Sequence, residues 1–276
     1  MMASPLAVPA DDTATRTHAL ADDDGWQARV ARAFSRAAPC YAERATAQRA
    51  MARTLLARLP GRAGAVLDLG CGPGEMAAQL ADRYGTACRV TGLDLAPGML
   101  GVARQSHGER IGWLCGDAAA LPLLEASQDL VVSNLAIQWC PDLDAVLCEL
   151  RRVLRPGGRA LINTLGPGTL AEVNFAWSYP GRPAALLAFR DAGDHRRSAR
   201  AAGFRRVDCR ERPVRFHYPD LAAVMASIKG VGAQVARPGA RLTRTDLARA
   251  RRRFEALRDP EGLPVTYRLL TLELGT

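Results

Sequence analysis

The stretch VLDLGCGPGE, Val66–Glu75, decides the fold. Val66, Leu67 and Leu69 form a short apolar run of strand character, and a helical pattern starts at Glu75. Between them stand Gly70, Gly72 and Gly74. Glycine there permits a tight turn and lets a ligand come close to the backbone at a helix N-terminus. A dinucleotide-binding loop places its third glycine one residue later, where this chain has Glu75. Asp68, at the strand end, suits a cationic ligand and would repel a pyrophosphate.

Working outward, strands and helices alternate. AVLDLG, CRVTGLDL, IGWLCGD, DLVVSN and RALINTL read as five strands. Helices are expected over Glu75–Tyr84, Met99–Gln105 and Asp144–Leu154, with RPGG as a turn before the fifth strand. This alternation predicts an α/β fold with a parallel, doubly wound sheet. Upstream, Val30, Phe34, Ala37 and Tyr41 form one helical stripe, and Met51, Leu55, Leu56 and Leu59 another, with Pro39 expected to part the two helices. Downstream, His195–Ala202 reads as a short helix, RRVDCRERPVRF as a strand, His217–Gly262 as mostly helical and PVTYRLLTLEL as the last strand.

Two more aspartates end strands. Asp94 lies about twenty residues beyond the loop, where a carboxylate grips ribose hydroxyls in nucleotide-binding folds. Asp117, in CGDA, is placed to accept from an exocyclic amine. Singly, such residues are more often caps; three at successive strand ends beside a glycine loop point to a ligand site. SNLAIQWC, Ser133–Cys140, fits neither a period of two nor one of 3.6, so Asn134, Gln138 and Trp139 read as a site rather than as packing.

Composition sets bounds. At 276 residues, 48% hydrophobic and 24% charged, the chain suits one substantial domain. No apolar run reaches the about 18–20 residues that span a bilayer. The N-terminus lacks the basic and apolar regions of a secretory signal, so a disordered leader (1–25) and a cytoplasmic location are expected. Seven scattered cysteines without a C-x-x-C pair, and four isolated histidines, argue against a disulfide framework or a metal site. The net charge of +9 is almost entirely arginine, Lys229 being the single lysine. The arginines are spread along the chain without an RNA-binding aromatic motif, so no nucleic-acid partner is expected, and none in a membrane.

VLDLGCGPG, GLDLAPGML, GDAAALP and LRRVLRPGGRALI resemble the class I S-adenosylmethionine-dependent methyltransferases over roughly 50–165. The resemblance implies a Rossmann-like sheet, mostly parallel with an antiparallel last strand, helices on both faces and helical lid insertions. The flanks narrow it. VARAFSRAAPCYAERATAQRAMARTLLARL, SNLAIQWCPDL, SIKGVGA, LTRTDLARAR and LPVTYRLL are similar to the malonyl-acyl carrier protein O-methyltransferases of biotin synthesis and occur in that family's order. The implied layout is a single domain over 26–276. It comprises N-terminal helices (26–60), a cofactor-binding core (61–165), substrate-lid insertions (166–190 and 217–262) and a last strand (264–274).

The implied cofactor is S-adenosyl-L-methionine, released as S-adenosyl-L-homocysteine. Its site would be drawn from Asp68, Gly70, Cys71, Gly72, Gly74, Asp94, Leu95, Met99, Asp117, Ala118 and Asn134. Asp94 would hold the ribose and Asp117 the adenine amine. Tyr41, Asn134, Gln138 and Trp139 are the candidate catalytic residues, and Arg36, Lys229 and Arg244 the candidates for substrate or carrier. The implied partner is acyl carrier protein bearing a malonyl thioester; a monomer is expected. A malonyl carboxylate is already ionised at neutral pH, so the chemistry asks for alignment and desolvation rather than a general base.

Three other readings compete. NLAIQW and TYRL also resemble a mitochondrial complex I assembly factor thought to hydroxylate arginine, but SIKGVGA and the lack of a basic transit segment favour the biotin enzymes. A small-acid or quinone methyltransferase leaves the C-terminal motifs unexplained. A nucleic-acid-binding protein would bind mixed DNA with a steep salt dependence.

Overall fold

The computed structural model describes residues 23–178, 184, 186–230 and 243–276, without the side chains of 23, 24, 229 and 230. The leader expected over 1–25 lies outside the described residues as far as 22, and so does the side chain of Lys229. Two helices come first, α1 (Asp23–Arg44) and α2 (Thr46–Leu56). The core follows as β1 (Ala65–Leu69), α3 (Glu75–Tyr84), β2 (Arg89–Asp94), α4 (Pro97–His107), β3 (Gly112–Cys115), β4 (Gln128–Asn134), α5 (Leu143–Val153) and β5 (Leu154–Leu165). The chain ends with α6 (Ala171–Trp177), α7 (Ala192–Ala201), β6 (Arg206–Tyr218), α8 (Leu221–Gly230), α9 (Arg244–Glu255) and β7 (Leu263–Gly275).

Seven strands form one sheet in the order β3-β2-β1-β4-β5-β7-β6. β1 pairs in parallel with β2 and β4, and β4 with β5, whereas β7 runs antiparallel to both β5 and β6. Central parallel strands are covered on both faces, which is why AVLDL is buried at all five positions. One face packs against α5 and α7 through Leu147, Leu150 and Ala199; the other packs against α2, α3 and α4 through Leu55, Leu80 and Leu100. The chain order reverses between β1 and β4, so the carboxyl ends of these strands open a crevice for ligands. The edge strand β6 carries exposed Arg206, Arg210 and Arg212 and also Pro213, which blunt edge-to-edge pairing. Among the described residues no helix is long and apolar enough to cross a membrane.

Three expectations differ from the structure. Pro39 lies inside α1, and the helix runs on to Arg44. A proline there forfeits one backbone bond, but buried Ala37 and Ala38 hold the helix against the core. The interruption falls at Ala45, whose amide still donates to the Tyr41 carbonyl at 2.9 Å. His217 and Tyr218, expected to be helical, extend β6 opposite Pro264 and Leu263. His217 Nε2 also meets Asp259 Oδ2 at 3.0 Å, tying the turn before β7 to that strand. The RPGG turn falls within β5, at a register shift against β4 between Gln128 and Leu130.

Candidate active site

The glycine loop forms the floor of the site. Gly70 and Gly72 adopt φ values of 71° and 54°. A Cβ on Gly70 would sit 2.2 Å from Ala136 Cβ, whereas one on Gly72 meets nothing within 4 Å. Gly70 is therefore needed both for its backbone conformation and for the close approach of the segment after β4. The Gly70 and Cys71 amides donate to the Leu93 carbonyl at 2.7 and 3.0 Å, and Gly72 N–H donates to Asp94 Oδ2 at 2.9 Å. Asp94 Oδ1 accepts from Ala96 N–H at 2.8 Å. The strand-end carboxylate thus clamps the loop, and each oxygen keeps a lone pair for a ligand.

A cavity of about 260 Å³ lies between this loop and α2. Of the expected residues it brings together Tyr41, Asp68, Gly70, Cys71, Gly72 and Asn134. Gly74, Asp94, Leu95, Met99, Asp117, Ala118, Gln138 and Trp139 do not line it, and neither do Arg36 and Arg244, which are exposed on α1 and α9. Asp68 is 1% exposed, and its Oδ2 has no hydrogen-bond partner. Burial, then the nearby Asp94 charge, push its carboxyl up to about 8, while the Ala77 amide that hydrogen-bonds it acts in the opposite sense. Burial likewise raises Tyr41, so its phenol stays protonated and able to donate.

Asn134 ends β4 and is oriented by a network the sequence reading missed. Its Nδ2 donates to the Gln48 carbonyl at 3.2 Å, and its Oδ1 accepts from Asn163 Nδ2 at 3.0 Å. Asn163, fully buried on β5, also donates to the Met51 carbonyl at 2.9 Å and accepts from Thr271 Oγ1 at 2.8 Å. A lone amide in the apolar strand ALINTL was the available signal. Leu135 then takes φ 59°, an uncommon conformation for a bulky side chain and one often stored at functional sites. Beyond that turn Ala136 packs on Gly70, and Gln138 and Trp139 do not line the cavity. Gln138 bridges the Leu135 carbonyl (2.7 Å) and Thr164 Oγ1 (3.2 Å). Trp139 stacks on Trp26 with centroids 6.5 Å apart and meets Phe34 edge-on at 5.4 Å.

α2 supplies the opposite wall with Gln48, Arg49 and Arg53, none of which the sequence reading singled out. Gln48 Oε1 is buried without a partner. Arg49 reaches Glu75 at 3.4 Å, and Arg53 carries no ion pair among the described residues. On the far side of the loop, Asp117 Oδ2 accepts from Gln27 Nε2 of α1 at 2.8 Å, and Oδ1 from Ala119 N–H at 3.0 Å. Arg152 of α5 steadies this segment by donating to the Leu121 and Leu123 carbonyls at 3.0 and 2.8 Å. Met99 is buried beside Ala38 and Ala96, next to Tyr41.

The residues fit S-adenosylmethionine. Two buried acceptors without partners, Asp68 Oδ2 and Gln48 Oε1, line one cavity and match an ammonium's donors, while the arginines match a carboxylate. Comparison with known proteins agrees. A family model described as a methyltransferase domain matches residues 67–162. The malonyl-acyl carrier protein O-methyltransferase of Dechloromonas aromatica is 38% identical over 254 residues, covering 89% of this chain and 93% of that one. The biotin biosynthesis bifunctional protein BioHC of Cellvibrio japonicus is 38% identical over 251 residues, covering 89% of this chain; the chain spans about half (49%) of that relative. Among solved structures, the YcgJ protein of Bacillus subtilis superposes with a TM-score of 0.58 at 17% identity, over 82% of this chain and 97% of that one, a likeness of fold.

Proposed function

Because this chain belongs to the malonyl-acyl carrier protein O-methyltransferase family, we propose that it methylates the free carboxylate of a malonyl thioester held by acyl carrier protein, a step of biotin synthesis. When bound, S-adenosylmethionine would supply an electrophilic methyl carbon and, on its sulfur, the acceptor for the displaced electron pair. The chain's own residues hold and align. Asp68 Oδ2 and Gln48 Oε1 accept from the methionine ammonium, while Arg49 and Arg53 set a positive field for carboxylates at the cavity wall. Asp94 keeps the loop closed under the ribose, and Asp117 exchanges Gln27 for the adenine amine.

On the acceptor side no base is assigned, because the malonyl carboxylate is ionised at neutral pH. Tyr41 O–H and Asn134 Nδ2 are the donors that would fix one carboxylate oxygen and leave the other free to take the methyl group. Gln138 and Trp139 act one step back, holding the turn after Asn134 and closing α1 over it. The observation that carries the reading is Asp68: a buried carboxyl oxygen without a partner, at a cavity beside a glycine loop, leaves a polar group unsatisfied until a donor such as an ammonium fills it.

The test is transfer of label from methyl-labelled S-adenosylmethionine to malonyl-acyl carrier protein, with acetyl-acyl carrier protein alongside. Label on the malonyl form alone supports the reading. Label on both, or only on an unrelated acceptor, overturns it.

A further inference from the structure

α9 presents a face that this chemistry leaves unused. Ala250 and Phe254 bury its inner side. Outward stand Arg244, Leu247, Ala248, Arg251 and Arg252, all exposed, at the i, i+3, i+4, i+7 and i+8 spacing of one helix face. Leu247 is 51% exposed and is one of three large hydrophobic residues exposed among those described. The acids of the helix are already occupied: Asp246 caps the Thr243 amide and pairs with Arg249, and Glu255 pairs with Arg258. Arg251 adds only a weaker attraction to Glu255. Arg244, Arg251 and Arg252 carry no ion pair among the described residues. Arg244 also opens the helix, where the macrodipole is already positive. Such a placement works against the helix and is relieved by an acidic neighbour.

α9 and the α2 wall of the site rest on one buried cluster. Ala250 and Phe254 share a core with Ala47 and Met51 of α2, and α2 turns Gln48, Arg49 and Arg53 to the cavity. α9 itself packs chiefly on α6, and the shared buried cluster links it to α2.

We propose that the outer face of α9 docks an acidic protein, with Leu247 as apolar anchor and Arg244, Arg251 and Arg252 as the charged rim. The occupant is acyl carrier protein, whose acidic surface complements three unpaired arginines and whose thioester arm must reach the cavity. The proposal rests on the substrate reading above and adds where the carrier sits. Charge complementarity of this kind sets encounter rate and partner choice and weakens with salt.

The test compares Arg251→Glu/Arg252→Glu, and separately Leu247→Ser, with Arg62→Glu/Arg89→Glu. The last pair makes the same charge change on exposed residues at the opposite ends of β1 and β2. Steady-state kinetics are run with malonyl-acyl carrier protein and with malonyl-pantetheine, and the affinity for S-adenosylmethionine is titrated for each variant. We expect KM for the carrier substrate to rise about tenfold or more in both α9 variants. KM for malonyl-pantetheine, kcat and cofactor affinity should hold, and the control pair should behave as wild type. Equal effects from α9 and control pairs, or a parallel rise with malonyl-pantetheine, overturn the docking site. So does a loss of DNA binding with carrier kinetics intact, which assigns the face to nucleic acid. If the wild type methylates malonyl-acyl carrier protein and the α9 variants match it, docking fails while the substrate reading stands. If the wild type methylates no malonyl-acyl carrier protein, the substrate reading fails and takes this occupant with it.

Discussion

The pH dependence of cofactor binding should report Asp68 directly. In the free protein burial and Asp94 hold this carboxyl up to about 8, so at neutral pH it is mostly protonated. Pairing with an ammonium favours the ionised form, and binding therefore releases a proton. With a carboxyl near 8, the ionised fraction rises from about 1% at pH 6 to about a quarter at pH 7.5, so Kd falls about 20-fold across that window. Above about pH 8 the ligand's α-amino group loses its own proton, which is why the rising limb is read below that point. Isothermal titration in two buffers of different ionisation enthalpy should show close to one proton released near pH 6.5. Asp68→Asn should abolish the slope and weaken binding at pH 7.5 by about 10- to 100-fold, the range for losing a charge-assisted bond. The same group shapes the stability of the free protein. Between about pH 4 and 8 an unfolded aspartate has lost its proton while Asp68 retains it, so the unfolded state binds fewer protons and stability falls as pH rises, by about 1.4 kcal/mol per unit. A Kd flat within about twofold from pH 6 to 7.5, or a slope that survives in Asp68→Asn, would refute this role for Asp68.

Other outcomes follow from the geometry. Gly72→Ala should cost only the left-handed backbone penalty of about 1–2 kcal/mol. Gly70→Ala adds overpacking against Ala136, for about 2–5 kcal/mol in all, and its melting temperature should drop clearly further. Asn163→Ala leaves the Asn134, Met51 and Thr271 groups without their buried partner, which should lower stability by about 1–3 kcal/mol in denaturant melts and also lower kcat. Tyr41→Phe should raise KM for the malonyl substrate while the S-adenosylmethionine Kd stays within about twofold, because only the phenol's donated bond is lost.

The parts of the fold that the sequence made plain are those governed by local chemistry. Short apolar runs between glycines and helical patterns mark β1, β2, β4 and β5, because central parallel strands are buried on both faces, while β3 at the edge is partly exposed. Pro39 misled because proline weakens a helix without ending it when the flanking residues are packed. His217 and Tyr218 were drawn into β6 by pairing with β7, which no local pattern encodes.

The site divides the same way. Asp68, Gly70 and Gly72 stand at the cavity as the pattern of a loop between strand and helix suggests, whereas Gly74 lies against Trp113 and His107. Gln138 and Trp139, candidate catalytic residues by sequence, follow the left-handed turn at Leu135 and meet Thr164 and Trp26. Gln48, Arg49 and Arg53 belong to a helix that folds over the loop from outside the core pattern. Their spacing reads only as an amphipathic surface until α2 is docked.

The most direct measurement is the intact mass and linkage of malonyl-acyl carrier protein after incubation with this protein and S-adenosylmethionine. We predict the gain of a single methyl group on the distal carboxyl, bound through oxygen and removed by mild base, with acetyl-acyl carrier protein unchanged. An unmodified malonyl carboxyl in the presence of bound cofactor, or a methyl on carbon that resists base, would contradict carboxylate methylation.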